Sequence, residues 1–408
     1  MNIKAPLPAR LTSPTTSLAL CLTGLSLLPL GAQANTLTEA LTQGQPKADI
    51  RLRYETVTQD NTKKDATAAT VRTRLGYHTG NYNGFEAFVE MESVSALAGE
   101  DYFSKTNGND SYSVIADPVG AEMNQASLSY RGLSDTTLTW GRQRVILDNA
   151  RFVGNVGWRQ NEQTYDGFVV TNQSLPDTTA TYAYVYNVNG ITGGDLDVKA
   201  HLLNVAYDGL SAGKLTGYGY FIDFVNEPTD SQQTLGLRFT GKQALGEGMA
   251  LLYSAEYAQQ SDYQDGAATV DADYLLGELG VKISNITAKL SYEVLGGDGS
   301  YGFSTPLATK HAFNGWSDQF LATPDVGLVD TYLTLATQVA GAKLAVIYHD
   351  YSADEGNTDY GTEWNAVAVR KFGKTYSALL KYASYAAGDT ATGKVDTDKL
   401  WLQGQIKF

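Results

Sequence analysis

The sequence contains very little cysteine, proline, histidine or methionine. Its 408 residues include one cysteine, 10 prolines, four histidines and four methionines. A single cysteine cannot close a disulfide within the chain, so covalent cross-links do not hold the fold together. The four histidines stand outside any HExxH motif, and the sequence has no Gly-x-Ser-x-Gly motif. We therefore expect neither an enzyme nor a bound cofactor or metal.

Long apolar runs are also scarce. An apolar run at 18–30 follows two basic residues and precedes an Ala-Gln-Ala sequence that ends at residue 34. It is too short for a transmembrane helix, which needs about 20 residues, but it has the form of a secretory signal peptide. The pattern predicts a cleaved signal peptide at 1–34, which carries Cys21, and a single exported domain at 35–408.

Positive charge is in short supply. The chain has 30 lysines and arginines against 44 acidic residues, a net charge of -14. Removal of 1–34 takes away Lys4 and Arg10 and changes the net charge to -16. Nucleic-acid binding needs a basic surface, so we expect no nucleic acid as a partner.

The sequence is rich in glycine and tyrosine, with 41 and 26 residues, and this composition fits a large antiparallel β-protein. This composition also fits a secreted β-sandwich array or a β-helix. Segments of about ten residues alternate between apolar and polar positions, as where Leu52 and Tyr54 alternate with Arg51 and Arg53. The segments lie near 48–58, 68–80, 84–93, 123–132, 136–144, 163–171, 178–187, 197–208, 213–225, 233–241, 249–260, 271–283, 286–296, 327–338, 342–351, 363–372, 375–387 and 397–408.

These segments predict a transmembrane antiparallel up-and-down β-barrel of about 18 strands. Short connections alternate with long ones such as 94–122, 145–162 and 297–326, as in barrels with short periplasmic turns and long extracellular loops. An even strand number places both chain ends on the periplasmic side.

The last segment alternates apolar and polar residues and finishes on Phe408. This pattern resembles the signal that the outer-membrane barrel-assembly machinery reads, so we expect that machinery as a partner through Phe408. We expect the barrel to lie in a Gram-negative outer membrane, in contact with lipid and lipopolysaccharide.

One stretch resembles a known family. It contains Trp140-Gly141-Arg142-Gln143, then 149–155 (NARFVGN), Trp158-Arg159-Gln160 and Tyr165-Asp166-Gly167. This pattern, over 138–170, is similar to the alginate-export family of outer-membrane barrels. The resemblance implies a channel, and an acidic polysaccharide as one cargo. The chain departs from an arginine-rich exporter because only Arg238 and Arg370 follow Arg159.

Alternation places a set of charged residues on the polar face or in loops that could enter the lumen. A turn centred near Tyr82 would set Arg74 opposite Glu90 and Arg72 opposite Glu92. These opposed charges would orient polar solutes in the lumen, or they would form a cross-strand ion ladder that neutralises charge. The predicted pore-lining residues are Arg51, Arg53, Arg72, Arg74, Glu86, Glu90, Glu92, Arg131, Arg142, Arg144, Arg151 and Arg159.

Arg142 and Arg144 share strand parity with the lipid-facing Trp140. A charge at the bilayer midplane costs roughly 2–4 kcal/mol. Either a bulge at Gly141 turns both arginines inward, which we favour, or they lie above the aromatic girdle.

The sequence thus predicts an outer-membrane channel for passive diffusion of hydrophilic solutes, including anions and uronate saccharides. Secretion of an acidic exopolysaccharide such as alginate is one alternative. A closed barrel that acts as an adhesin or a structural protein is another.

Overall fold

The computed structural model describes residues 34–408, which form a closed antiparallel barrel of 18 strands. The predicted signal peptide lies outside the described residues, apart from Ala34. Every strand pairs with its neighbours in sequence, and β1 pairs with both β2 and β18 to close the barrel. No helix in this part of the chain is long and apolar enough to cross a membrane.

The elements follow one another in simple order. They are α1 (Leu37–Thr42), β1 (Gln45–Gln59), β2 (Ala66–His78), β3 (Phe85–Ala96), β4 (Gly120–Leu133), β5 (Thr136–Gln143), β6 (Thr164–Asn172), β7 (Thr178–Asn189), β8 (Asp195–Leu210), β9 (Gly213–Phe224), β10 (Gln232–Gly246), β11 (Met249–Asp262), β12 (Asp271–Ile283), β13 (Ile286–Leu295), β14 (Leu328–Val339), β15 (Ala342–Ser352), β16 (Asp359–Phe372), β17 (Tyr376–Ala387) and β18 (Thr397–Lys407). Three short 3-10 helices lie at Pro228–Asp230, Lys310–Ala312 and Thr390–Thr392. All 18 predicted strands are confirmed, with their ends within five residues of the predicted positions.

The alternation in sequence places apolar side chains on the outer surface of the barrel and polar side chains in its interior. In β1, Leu52 and Tyr54 are exposed on the outer surface, whereas Arg51, Arg53 and Glu55 are buried in the interior. Successive strand residues point to opposite faces, so an apolar outside requires a polar inside.

The two ends of the barrel differ in the length of their connections. At one end, strands are joined by tight turns such as 340–341, where Ala340 (φ 48°) and Gly341 (φ 78°) both have positive φ, as a type I′ turn requires. At the other end lie the longest connections, 97–119, 144–163 and 296–327. The predicted alternation of short turns and long loops is confirmed.

The predicted register of the second hairpin is wrong by two residues. Arg74 lies opposite Glu92, not Glu90, and Leu75 lies opposite Met91. The pairing is centred one residue later than predicted, near position 83 in the connection 79–84. A shift of two residues leaves every side chain on its predicted face, so the inward position of these charges is unaffected.

Candidate functional site

Two long connections fold into the barrel and occupy the middle of its interior. We call them the first inner loop (144–163) and the second inner loop (296–327). Their main chains interlock, because the Gly154 nitrogen donates to the Leu307 carbonyl at 2.9 Å and the Thr309 nitrogen donates to the Ala150 carbonyl at 3.0 Å. The two loops are therefore joined to each other by main-chain hydrogen bonds.

Arginines of β1 hold the first inner loop against the wall. Arg51 donates from Nη1 to the carbonyl oxygens of Gly157, Trp158 and Arg159 at 3.1–3.2 Å. Arg53 donates from Nη2 to the Trp158 carbonyl at 2.6 Å, and its guanidinium lies 4.3 Å from the indole centroid. Both arginines are buried, and these donors bind the loop.

Glu162 anchors the far end of the first inner loop. It accepts from Arg144 Nε at 2.7 Å and lies 3.3 Å from Arg74 Nη1. Arg74 also pairs with Glu92, and Arg144 pairs with Glu90 at 2.8 Å. Burial alone would raise the pKa of Glu162, but the two guanidinium groups outweigh it and hold that pKa well below its usual range. The carboxylate therefore stays ionised.

Arg159 joins this network to the connection 97–119. It donates to both carboxylate oxygens of Glu55 at 3.2 Å and lies 3.7 Å from Asp117 of the connection 97–119. Burial lowers the pKa of Arg159, but Glu55, Asp117 and Asp318 more than offset this, so the pKa is raised.

Asp318 joins both inner loops to the wall. It accepts from Lys399 at 2.7 Å, from Arg159 at 3.3 Å and from His311 Nδ1 at 2.6 Å. Burial would raise the pKa of Asp318, but its cationic neighbours hold it well below the usual value. Burial, with the nearby Lys381, holds the pKa of His311 well below its usual range, so the ring is neutral. Lys381 donates to the free His311 Nε2 at 2.7 Å.

The ammonium group of Lys381 lies inside a cage of tryptophans. It is 4.0 Å from the ring of Trp158, 3.8 Å from that of Trp316 and 5.3 Å from that of Trp401. One tryptophan comes from each inner loop and one from β18. The three rings surround the Lys381 amine, so this cluster joins both inner loops to the wall of the barrel.

A second group of contacts links the inner loops to β13 and β14. Arg151 donates to Glu293 of β13 at 2.8 Å and to Asn314 at 3.0 Å. Asn314 in turn donates to Glu293 at 2.8 Å and to Asp330 at 3.2 Å. Burial lowers the pKa of Arg151, but Glu293 outweighs it and the pKa is raised.

The remaining predicted residues also have ionic partners. Arg72 pairs with Asp49 at 2.7 Å, Arg131 with Glu86 at 3.2 Å, and Arg142 with Asp166 at 2.8 Å. All of the predicted residues except Arg51 thus take part in ion pairs, and their role in lining a pore stays a prediction.

The bulge predicted at Gly141 is not present. The pairing of β5 with both of its neighbours runs through Gly141 without a shift of register. Arg144 reaches the interior because β5 ends at Gln143, beyond which strand parity no longer applies.

A cavity of about 210 Å³ lies beside the second inner loop. Its lining includes Lys310, Asn314, Asp325, Thr305 and Phe320. Within residues 34–408, the Lys310 ammonium has neither a hydrogen bond nor an ion pair. Burial and the nearby cations Arg151 and Lys105 lower its pKa.

The sequence prediction omitted several residues that complete the network. Glu55 and Lys399 share a face with Arg53 and Trp401 in their strands, so alternation could have identified them. Asp117 and Asp318 come from irregular loops, and no local pattern marks them. The omitted residues are Glu55, Asp117, Trp158, Glu162, Lys310, His311, Asp318, Lys381 and Lys399.

Comparison with known proteins identifies the fold. No protein-family model matches the chain, and no curated protein matches it. Solved structures match over nearly the whole barrel. OpdL of Pseudomonas aeruginosa is 15% identical with a TM-score of 0.69, covering 90% of this chain and 99% of its own.

Two further structures give the same result. OccAB3 of Acinetobacter baumannii is 17% identical with a TM-score of 0.69, covering 89% of this chain and 100% of its own. OpdK of P. aeruginosa, solved with vanillate, is 15% identical with a TM-score of 0.68, covering 89% and 98%. The chain therefore has the 18-stranded barrel fold of outer-membrane porins.

Proposed function

We propose that this chain is a porin-like channel in the outer membrane of a Gram-negative bacterium, through which small hydrophilic solutes diffuse passively. The observation that carries the proposal is the division of the barrel into an apolar outer face and a charged interior narrowed by two inner loops. An apolar outer face suits lipid and the lipid portion of lipopolysaccharide. A charged interior suits water and polar solutes.

We extend the proposal to anionic solutes. The predicted arginines are tied to carboxylates or carbonyls, which leaves Lys310 as the cation that supports this extension best. Its ammonium lines a cavity without a partner, so a solute carboxylate that entered the cavity would be stabilised by pairing with it. OpdK, solved with vanillate, shares this fold, and vanillate is a small carboxylate. Uronate saccharides are another class of such anions.

Conductance in a planar lipid bilayer tests the proposal. We expect the refolded chain 35–408 to give a steady, small conductance with a reversal potential that indicates anion preference. Lys310→Gln should reduce that preference, whereas Lys343→Gln, a change to an exposed lysine beside a short turn, should leave it unaltered. Equal anion preference in all three proteins would contradict the role of Lys310 but not the channel.

A closed barrel is the second candidate. The many hydrogen bonds and ion pairs that hold the inner loops in the interior favour it. Absence of any conductance from correctly folded protein would support an adhesive or structural barrel over a channel. Secretion of an acidic polysaccharide such as alginate stays a prediction of the resemblance at 138–170, since no family model matches. The inner loops oppose it, because a polymer would have to displace them.

Recognition by the barrel-assembly machinery through Phe408 remains part of the proposal. The Phe408 side chain is exposed, while its backbone pairs with Ala48 of β1 at 2.8 and 2.9 Å. The ring is therefore accessible to a partner without loss of strand pairing. Slower assembly of a Phe408→Ala chain in cells, with unchanged refolding in detergent, is the expected result.

A further inference from the structure

The short helix α1 has a reciprocal capping box at its N-terminus. Thr36 is the N-cap residue, and its side chain accepts from the Glu39 nitrogen at 3.1 Å. The Glu39 carboxylate in turn accepts from the backbone nitrogens of Thr36 at 3.2 Å and Asn35 at 2.7 Å. This reciprocal capping box satisfies free donors at the start of the helix.

The helix is fixed to the end of the barrel that carries the short turns. Gly80, in the connection between β2 and β3, donates from its nitrogen to the Ala40 carbonyl at 2.8 Å, and Ala40 is buried. The Tyr77 hydroxyl donates to the Leu41 carbonyl at 2.7 Å. Tyr77 has the same strand parity as Leu75, which is 58% exposed on the outer face of β2. The helix therefore borders the outer, apolar face of the barrel and not its interior.

One side of this helix is apolar and has no partner in residues 34–408. Leu37 and Leu41 are 57% and 53% exposed, and their spacing of four residues places them on the same side. Thr38 and Thr42 lie about 100° further round the helix, since each residue turns it by that angle. The helix is thus apolar toward one side and polar toward another.

We propose that α1 lies in the lipid interface at the turn end of the barrel, with Leu37 and Leu41 inserted between lipid chains. Continuity with the apolar outer face through Tyr77 and Leu75 favours lipid as the occupant. A short amphipathic segment in this position enters the boundary between headgroups and acyl chains. This inference depends on the proposed membrane location.

Site-directed spin labelling tests the inference, because the chain 35–408 contains no cysteine. Leu37→Cys and Leu41→Cys would each be labelled in protein reconstituted into vesicles of phosphatidylethanolamine and phosphatidylglycerol. Thr42→Cys is the matched control on the polar side of the helix, and Leu290→Cys marks the outer face of β13. Folding of each variant is checked first by its heat-dependent mobility on a gel.

The expected result is preferential collision of the labels at 37, 41 and 290 with oxygen, and of the label at 42 with a water-soluble nickel complex. If the labels at 37 and 41 behave like that at 42 while 290 remains in lipid, the inference about α1 is wrong and the membrane proposal stands. If the label at 290 is also in water, the membrane proposal itself fails. Protection of 37 and 41 from both reagents would indicate a second copy of the chain and overturn lipid as the occupant.

Discussion

At the scale of single residues, the charged groups of the interior mainly hold loops in place. Asp318 is the clearest case, because one carboxylate binds Lys399, Arg159 and His311. Buried charges are costly unless they are paired, and removal of one member leaves the others without compensation.

We expect Asp318→Asn to cost roughly 3–5 kcal/mol, as the loss of one partner from a buried ion pair does. The second inner loop should loosen, and single-channel conductance should become larger and noisier. Thermal unfolding in detergent and bilayer recordings measure the two effects. Glu355→Gln, which changes an exposed acid in the connection 353–358, should alter neither.

The pKa of Asp318 also predicts how the effect of Asp318→Asn on stability varies with pH. The folded pKa of Asp318 lies well below its ordinary value of 3.8, so the stability it contributes is complete above that value and is lost only as the pH falls toward the folded pKa. The stability difference between the natural chain and Asp318→Asn should therefore be constant from neutral pH to about pH 5. A difference that shrinks between pH 7 and 5 would show that Asp318 is not held by these cations.

At the scale of elements, the two inner loops behave as one packed unit. A Cβ at Gly154 would lie 2.3 Å from Thr309 Oγ1 and 2.7 Å from the Ala150 Cβ, so glycine is required where the loops meet. At this point the two loops approach each other too closely to leave room for a side chain.

We expect Gly154→Val to force the inner loops apart and to destabilise the protein by about 1–3 kcal/mol, the usual cost of overpacking. Gly194→Val is the control, because a Cβ there meets no atom within 4 Å. Thermal unfolding of the two variants measures the effect, and equal stability would mean that the loops do not meet in this way.

The elements also show what sequence alone can predict. Strand alternation is a local property, so β1 to β18 and the inward position of Arg72, Arg74 and Glu92 follow from it. The pairing of Arg74 with Glu92 depends on the conformation of the connection 79–84, which alternation does not specify. The partners of Arg159 and Asp318 come from distant loops, and nothing in their local sequence indicates the contact.

At the scale of the whole molecule, the interior and the rims differ in net charge. The interior arginines are bound by carboxylates or carbonyls, and unpaired acids lie on exposed connections, for example at Glu355. In the proposed channel, these rim charges would repel anions that approach the barrel, whereas Lys310 would attract them inside.

Salt should separate the two effects. Exposed charges are screened over about 10 Å at 0.1 M salt and over about 3 Å at 1 M, while partly buried charges are screened much less. We expect anion preference, measured from reversal potentials at a fixed concentration ratio, to be greater at high salt. The same preference at both concentrations would mean that the rim acids do not influence permeation.

The pairing of β1 with β18 sets the order in which the barrel can be completed. Every other pair of strands joins neighbours in sequence, whereas Asp49 and Lys407 come from opposite ends of the described chain. The entropy of closing a flexible loop grows only with the logarithm of its length, so this last seam costs just a few kcal/mol more than a hairpin. Hairpins can therefore assemble one after another as an open ribbon, and a single joining event late in folding converts the ribbon into a tube.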